Sequence, residues 1–260
     1  MQGPWRWIGA LLSAMLILAG VSGAAAAPRA HAHARAPHVL IFSYSTGYRH
    51  ASIEPGVAAL RAMGQRDGYV MDASEDPDMF LPGRLDGYDA VILLSTSSDK
   101  HNPSTDWLVG QRRDGLQAFV HRGGGIVGIH AASDSNYTWM WYHQLIGASF
   151  DHHPPGTPTA TVTIVDPRDP SARGLPHTFQ RTDEWYHFYD FNPNNHIIAE
   201  YDPQSYGEDE ANPHPISWRH EFEGGRVFYT GMGHTTESYS EDIFIRHIDG
   251  GLKWVLHRAN

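Results

Sequence analysis

The sequence predicts an α/β domain built on a mainly parallel central sheet, with a β-rich section toward its C-terminus. Three observations carry that expectation. Short apolar runs alternate with amphipathic stretches through the first half, as strand–helix–strand units require. Two of those runs, "DAVILLS" at 89–95 and "GIVGIH" at 125–130, are apolar almost without interruption, as strands covered on both faces are. Beyond residue 158 the pattern becomes strand-like runs separated by Pro- and Gly-rich turns.

Taken in order, "HVLIFSY" at 38–44 reads as the first strand. A helix follows, with Ser52, Glu54 and Pro55 at its start and Gly64 or Gly68 at its stop. "YVMDAS" at 69–74 and "DAVILLS" are the second and third strands. The stretch from Ser104 to about Arg122 reads as a helix ended by the Gly run that follows, and "GIVGIH" as the fourth strand. "YTWMWYHQLIG" is a further helix. "TATVTIVD" at 159–166 alternates like a strand with one solvated face. "HIIAEYD", "PHPISWRH" and "GRVFYTGMG" complete the strands, and an amphipathic helix closes the chain.

The N-terminal 27 residues have the pattern of a cleaved export signal: Arg6, then "IGALLSAMLILAGVSG", then small residues. The apolar run is shorter than the roughly 20 residues a spanning helix needs. Residues 28–37 read as a disordered linker, and 38–260 as a single domain. The expected location is secreted or periplasmic, with no membrane span once the signal is removed.

The chain has no cysteine, which excludes thiolate nucleophiles, iron–sulfur clusters and Cys-rich zinc sites. Its formal net charge of -10 argues against capture of nucleic acid or anionic membrane. A neutral small-molecule carbohydrate fits better, and an aromatic content of 12% offers surfaces for sugar rings. The 18 histidines nearly equal the 19 lysines and arginines, so the question is which imidazoles converge.

Ligands of parallel sheets bind beyond the carboxyl ends of the strands. Those ends, "SYSTGYRH", "STSSDKH" and "HAASD", are polar, and each contains or leads into a histidine. His130 directly follows a buried strand, so rigid scaffold would hold it at the cleft. Tyr48 and His50 lie at the same edge, where Gly47 allows a tight turn. In "GASFDHHPP", at most one of the neighbours His152 and His153 is expected to face the cleft. In "RTDEWYHFYDF", read as a strand, Asp183, Trp185 and His187 would share a face opposite Glu184 and Tyr186. His234 stands at another strand end, in "GMGHTTE". His214 and Trp218, in "PHPISW", are further candidates.

These residues divide by chemistry. His130, Glu184 and His234 are the candidate catalytic groups, because imidazole and carboxylate exchange protons near neutral pH. Tyr48, His50, His153, Trp185, Tyr186, His214 and Trp218 are candidate substrate contacts. His50, His130 and His153 are candidate ligands of a divalent metal such as zinc, since imidazole and carboxylate both suit it. No local zinc signature is present, so such a site would be assembled over long range.

The motifs "STGYRH", "GGGIVGIHAASD", "LIGASFDHHPP", "RTDEWYHF", "HPISW" and "GRVFYTGMGH", in this order, resemble the ThuA-like family, named for trehalose utilisation. The resemblance covers about residues 38–257. It implies a flavodoxin-like three-layer sandwich, similar to class I glutamine amidotransferases. Where those enzymes carry a catalytic Cys this chain has His130, so glutaminase activity is not expected. The resemblance also implies carbohydrate metabolism, with oxidised disaccharides such as keto-trehalose as candidate substrates. Three functional classes are open: an isomerase, lyase or hydrolase acting on a sugar or keto-sugar, a non-catalytic carbohydrate-binding module, and a metal-dependent hydrolase of an unrelated substrate.

Overall fold

In the computed structural model the described residues are Met1, 35–210 and 212–257. The expected export signal and most of the expected linker lie outside them. The chain divides into two units, Met1–Arg35 and Ala36–Asn260, and every strand and helix among the described residues belongs to the second. No helix among the described residues is long and apolar enough to cross a membrane.

The fold is mixed α/β. Strands β1 (His38–Phe42), β2 (Val70–Ser74), β3 (Ala90–Leu94) and β4 (Gly125–Ile129) alternate with helices α1 (Ile53–Asp67) and α2 (Gln111–His121). Helix α3 (Met140–Ile146) and strands β5 (Ser149–His152), β6 (Thr159–Ile164), β7 (Thr178–Thr182), β8 (His187–Tyr189) and β9 (His196–Asp202) come next. Then come β10 (His214–Phe222), β11 (Gly225–Thr230) and α4 (Asp242–Val255). Nine strands form one sheet in the order β2-β1-β3-β4-β11-β10-β9-β6-β7, while β5 and β8 pair separately. The β2-to-β11 half is parallel, and β10, β9, β6 and β7 extend it antiparallel.

The unbroken apolar runs are central strands. Every residue of β3 and β4 is buried, and alternate side chains feed two cores. Val39 and Ile41 of β1 join Leu60 of α1 with Phe244, Ile248 and Leu252 of α4. Leu40 and Phe42 join Leu116 and Phe119 of α2 with Tyr142 and Leu145 of α3. The antiparallel β6 alternates between exposed or half-buried and buried positions, as its sequence does.

Local departures from the sequence reading have local causes. Helix α1 stops at Gly68, whose φ of 79° only glycine adopts freely. Its first-turn Ser52 does not cap it; the hydroxyl donates to the Gly233 carbonyl instead. Helix α2 begins at Gln111 rather than Ser104. Gly110 takes a non-helical conformation there, and the Leu108 N–H is claimed by Asn136 Oδ1. The stretch "RTDEWYHFYDF" is not one strand, because β7 ends at Thr182 and β8 begins at His187. Residues 183–186 between them belong to no strand.

Candidate active site

The carboxyl ends of β1, β4 and β11 lead into residues 43–50, 130–134 and 231–234, and these segments meet. Gly47 makes this possible by close approach rather than by a turn: a Cβ there would come 2.8 Å from the Ser98 backbone. His130, immediately after β4, has φ 51°, a left-handed conformation that a histidine adopts at a cost. It opens a tight 3-10 turn, His130–Ser133. His130 thus directly follows a buried strand, as expected from the sequence, and a tight turn carries the chain onward.

Glu184 is the hub. Its Oε2 lies 3.4 Å from His130 Nε2 and 3.1 Å from His234 Nδ1, and its Oε1 lies 3.3 Å from His153 Nε2. His130 Nε2 and His234 Nδ1 are 3.2 Å apart. The His50 ring meets those of His130 and His234 edge-on, with centroids 4.7 and 5.1 Å away. Tyr186 lies against His130 with centroids 4.4 Å apart.

Asp183 holds this geometry in place. Fully buried, it accepts the backbone N–H groups of Gly233 and His234 at 2.9 and 3.0 Å and that of Glu184 at 3.0 Å. It also accepts Arg181 Nε at 3.0 Å. One carboxylate therefore fixes both the loop that carries His234 and the segment that carries Glu184. Gly233, at φ 113°, supplies the bend between them.

Proton placement follows from the hydrogen bonds. His130 Nδ1–H donates to the Gly231 carbonyl at 2.8 Å, and His153 Nδ1–H to that of Pro154 at 2.8 Å. Nε2 of both rings faces Glu184, as a lone pair while the ring is neutral and as a donor once it is protonated. Acceptors converge on a carboxylate, and such a cluster is stable only with a cation among them, a proton or a metal ion. Burial alone would raise the Glu184 carboxyl, but the hydrogen bonds and charge of His130 and His234 hold it well below the usual carboxylate range. Burial lowers His234, yet Glu184 more than compensates, so its proton affinity is raised. His50 is driven the other way, to about 2, by burial and the neighbouring imidazoles, and its Nδ1 is buried with no hydrogen-bond partner.

One ligand atom from each of His50, His130, Glu184 and His234 lies within 4.8 Å of the others. A tetrahedral ion with bonds of about 2.0–2.1 Å sets its ligand atoms about 3.3 Å apart. The 3.1–3.4 Å separations among His130, Glu184 and His234 match that spacing, so the donor set fits a zinc-class ion. His153, expected from the sequence as a ligand, lies outside that group, at the other oxygen of Glu184.

A hollow of about 330 Å³ opens over the cluster, lined by Tyr48, His50, Asp134, Phe150, His153, Glu184, Tyr186 and His234. It shares Tyr48, Asp134 and Phe150 with a wider groove of about 590 Å³ lined by Ser98, Asp99, Lys100, His101 and Asp151. His130 does not line the hollow. Its side chain is fully buried and meets Glu184 and His234.

Three candidate contacts lie elsewhere. Trp185 is fully buried in one core and bonds the Pro158 carbonyl. Trp218 is fully buried in the other and bonds that of Ile146. Neither offers a stacking surface. His214 packs against His187, 4.6 Å between centroids.

The sequence reading missed Asp134 and Phe150, both lining residues. Asp134 ends the very "GIHAASD" stretch that singled out His130. Burial pushes its carboxyl up to about 7, although Tyr137 donates a hydrogen bond to it.

A family model described as ThuA, trehalose utilisation, matches residues 38–255. The fold is shared with a ThuA-like protein from Bacteroides uniformis ATCC 8492 at TM-score 0.70 and 22% identity, covering 88% of this chain and 95% of that one. A ThuA-like protein from Parabacteroides merdae ATCC 43184 superposes at TM-score 0.67 and 17% identity, covering 86% and 91%. No curated protein matches the chain significantly.

Proposed function

The chain belongs to the ThuA family, and from that membership and the geometry of its hollow we propose that it processes a sugar or keto-sugar by acid–base chemistry. The observation that carries this reading is Glu184 held within 3.1–3.4 Å of three imidazoles at the floor of the hollow. Hollow and adjoining groove share Tyr48, Asp134 and Phe150, an arrangement suited to two linked sugar rings. Pockets of about 300–1,000 Å³ are the usual size for small molecules.

In this reading His153 is the base. Its Nδ1–H is committed to Pro154, and its Nε2 lone pair faces Glu184 beside open space. It removes a proton from the carbon next to the substrate ketone. The C–H electron pair becomes a C=C bond, and the carbonyl oxygen takes a proton from His234. Glu184 raises that imidazole's proton affinity. For isomerisation the His153 proton goes to the former carbonyl carbon, while the adjacent hydroxyl returns a proton to His234 and becomes the new C=O. For elimination the enol O–H returns its proton to His234 and the C=O re-forms. The C=C bond shifts as the glycosidic C–O bond beta to the ketone breaks, and the departing oxygen takes the His153 proton. His130 is a positioning residue for Glu184 and His234. His50, His130, Glu184 and His234 are the residues that would hold a divalent ion such as zinc. A bound ion would take the place of the His234 proton and supply Lewis-acid polarisation of the carbonyl instead.

We read the fold more finely as a flavodoxin-like three-layer sandwich, supported by α1 and α4 on one core and α2 and α3 on the other. The single domain spans 38–260, and export through the N-terminal segment places it outside the cytoplasm.

The test is product formation from a panel of keto-disaccharides. Positioned acid–base groups contribute about 10²–10⁴-fold, so His153→Ala and His130→Ala should each lose turnover in that range while circular dichroism stays native. Folded variants that retain activity within a few-fold of wild type would refute the assignment.

A further inference from the structure

A second convergence of imidazoles and carboxylates lies outside the hollow. His152 and His153 are adjacent but part ways, His153 to Glu184 and His152 to His187, on which it stacks with centroids 4.4 Å apart. His187, in β8, is 6% exposed. His214 opens β10, and its ring stands 4.6 Å from that of His187. Glu208 and Glu210 precede β10. His214 Nε2 is 3.1 Å from Glu210 Oε2, His187 Nδ1 is 3.7 Å from that same oxygen, and His187 Nε2 is 3.4 Å from Glu208 Oε1.

These contacts do not satisfy the histidines. The Nε2 atoms of both His187 and His214 are buried and make no hydrogen bond. Buried polar nitrogens without partners are rare in folded proteins and call for an explanation. One ligand atom from each of His187, Glu210 and His214 lies within 4.8 Å of the other two. Two imidazoles and one carboxylate are an established zinc donor set, whereas calcium and magnesium prefer oxygen alone.

We propose that His187, His214 and Glu210 form a second metal site for a zinc-class dication, with Glu208 and His152 at its edge. The site is independent of the reading given to the hollow. It gives the orphaned His214 Nε2 a partner, uses His187 Nδ1, the nitrogen that faces Glu210, and ties Glu210 to β8. Strand β8 pairs with β5, and this ribbon is flanked by Glu184 and His153. The ion would therefore brace the scaffold of the hollow without touching its contents.

The test is titration of the chelator-stripped full chain with Co²⁺, whose visible absorption reports its ligands. A Glu184→Gln background removes the carboxylate from the hollow, which keeps His50, His130 and His234. The expected result is a bound equivalent that weakens at least about tenfold when Glu210→Gln or His214→Gln is added, whatever the hollow imidazoles retain. No binding in the Glu184→Gln chain, or binding indifferent to both additions, overturns the proposal. Should Glu184→Gln fail to fold, the wild-type chain decides by NMR. Co²⁺ should broaden the ring C–H signals of His187 and His214, assigned through His187→Gln and His214→Gln. Signals that stay sharp at saturating Co²⁺ overturn it.

Discussion

Replacing Asp183 by Asn should destabilise the protein by about 3–5 kcal/mol, although the side chains are nearly the same size. Oδ1 accepts the N–H groups of Glu184 and His234, and Oδ2 accepts Gly233 N–H and Arg181 Nε. Whichever oxygen becomes an NH₂ group, two buried donors then face a donor. Each unsatisfied group costs about 1–3 kcal/mol. Arg181, itself only 2% exposed, keeps Glu241 as a counter-charge but loses Asp183. Breaking a buried ion pair from one side costs about 3–5 kcal/mol, consistent with the donor count. Urea denaturation of wild type and Asp183→Asn at pH 7 measures the difference. A loss below about 1 kcal/mol would show that Asp183 does not carry the loops assigned to it.

Acid should destabilise the fold early. Burial holds His50 down to about 2 and His220 and His247 down to about 4. The unfolded chain therefore binds more protons below the ordinary imidazole value of 6.5. Stability is full above that pH and is lost as pH falls, by about 2–3 kcal/mol each for His220 and His247 by pH 4. Urea midpoints at pH 7.5, 5.5 and 4.5 check this, and His247→Gln should flatten the decline. Asp134 has the opposite sign: its carboxyl is raised to about 7, so the folded state binds the extra proton and loses stability as pH rises from about 4 toward 7. Asp134→Asn should therefore be more stable than wild type at pH 8, by about 1–3 kcal/mol, with the advantage gone near pH 4; equal midpoints at pH 8 would contradict this. At His130, where φ is 51°, Gly should be more stable than Ala by about 1 kcal/mol, reversing their usual order, as thermal unfolding of the two variants would show.

Much of the parallel half is legible in the sequence. Strands β3 and β4 are buried on both faces, and continuous apolarity is the direct signature of that. The sheet order is not legible. That β11 runs beside β4 while β10 turns antiparallel depends on long-range pairing that periodicity does not encode. His50, His130 and His234 can be picked out because each comes after a strand, and strand ends share an edge. Strand alternation is the wrong reason for the setting of Glu184, whose position comes from Asp183 anchoring an irregular segment. Trp185 and Trp218 suggest sugar platforms by residue type alone. Their neighbours place them in the cores, where indole area contributes most to stability. Asp134 carries no signal of its own in the sequence, because its setting comes from burial and Tyr137, and composition reveals neither.

The reaction assigned to the hollow is the movement of a proton at the carbon beside a sugar ketone. Incubating the protein with keto-disaccharides in D₂O and following that carbon by NMR reads this step without any assumption about the product. Wild type should introduce deuterium there, and His153→Ala should do so at least about 100-fold more slowly. No wild-type exchange in any keto-disaccharide, or equal exchange by the variant, would contradict the assignment.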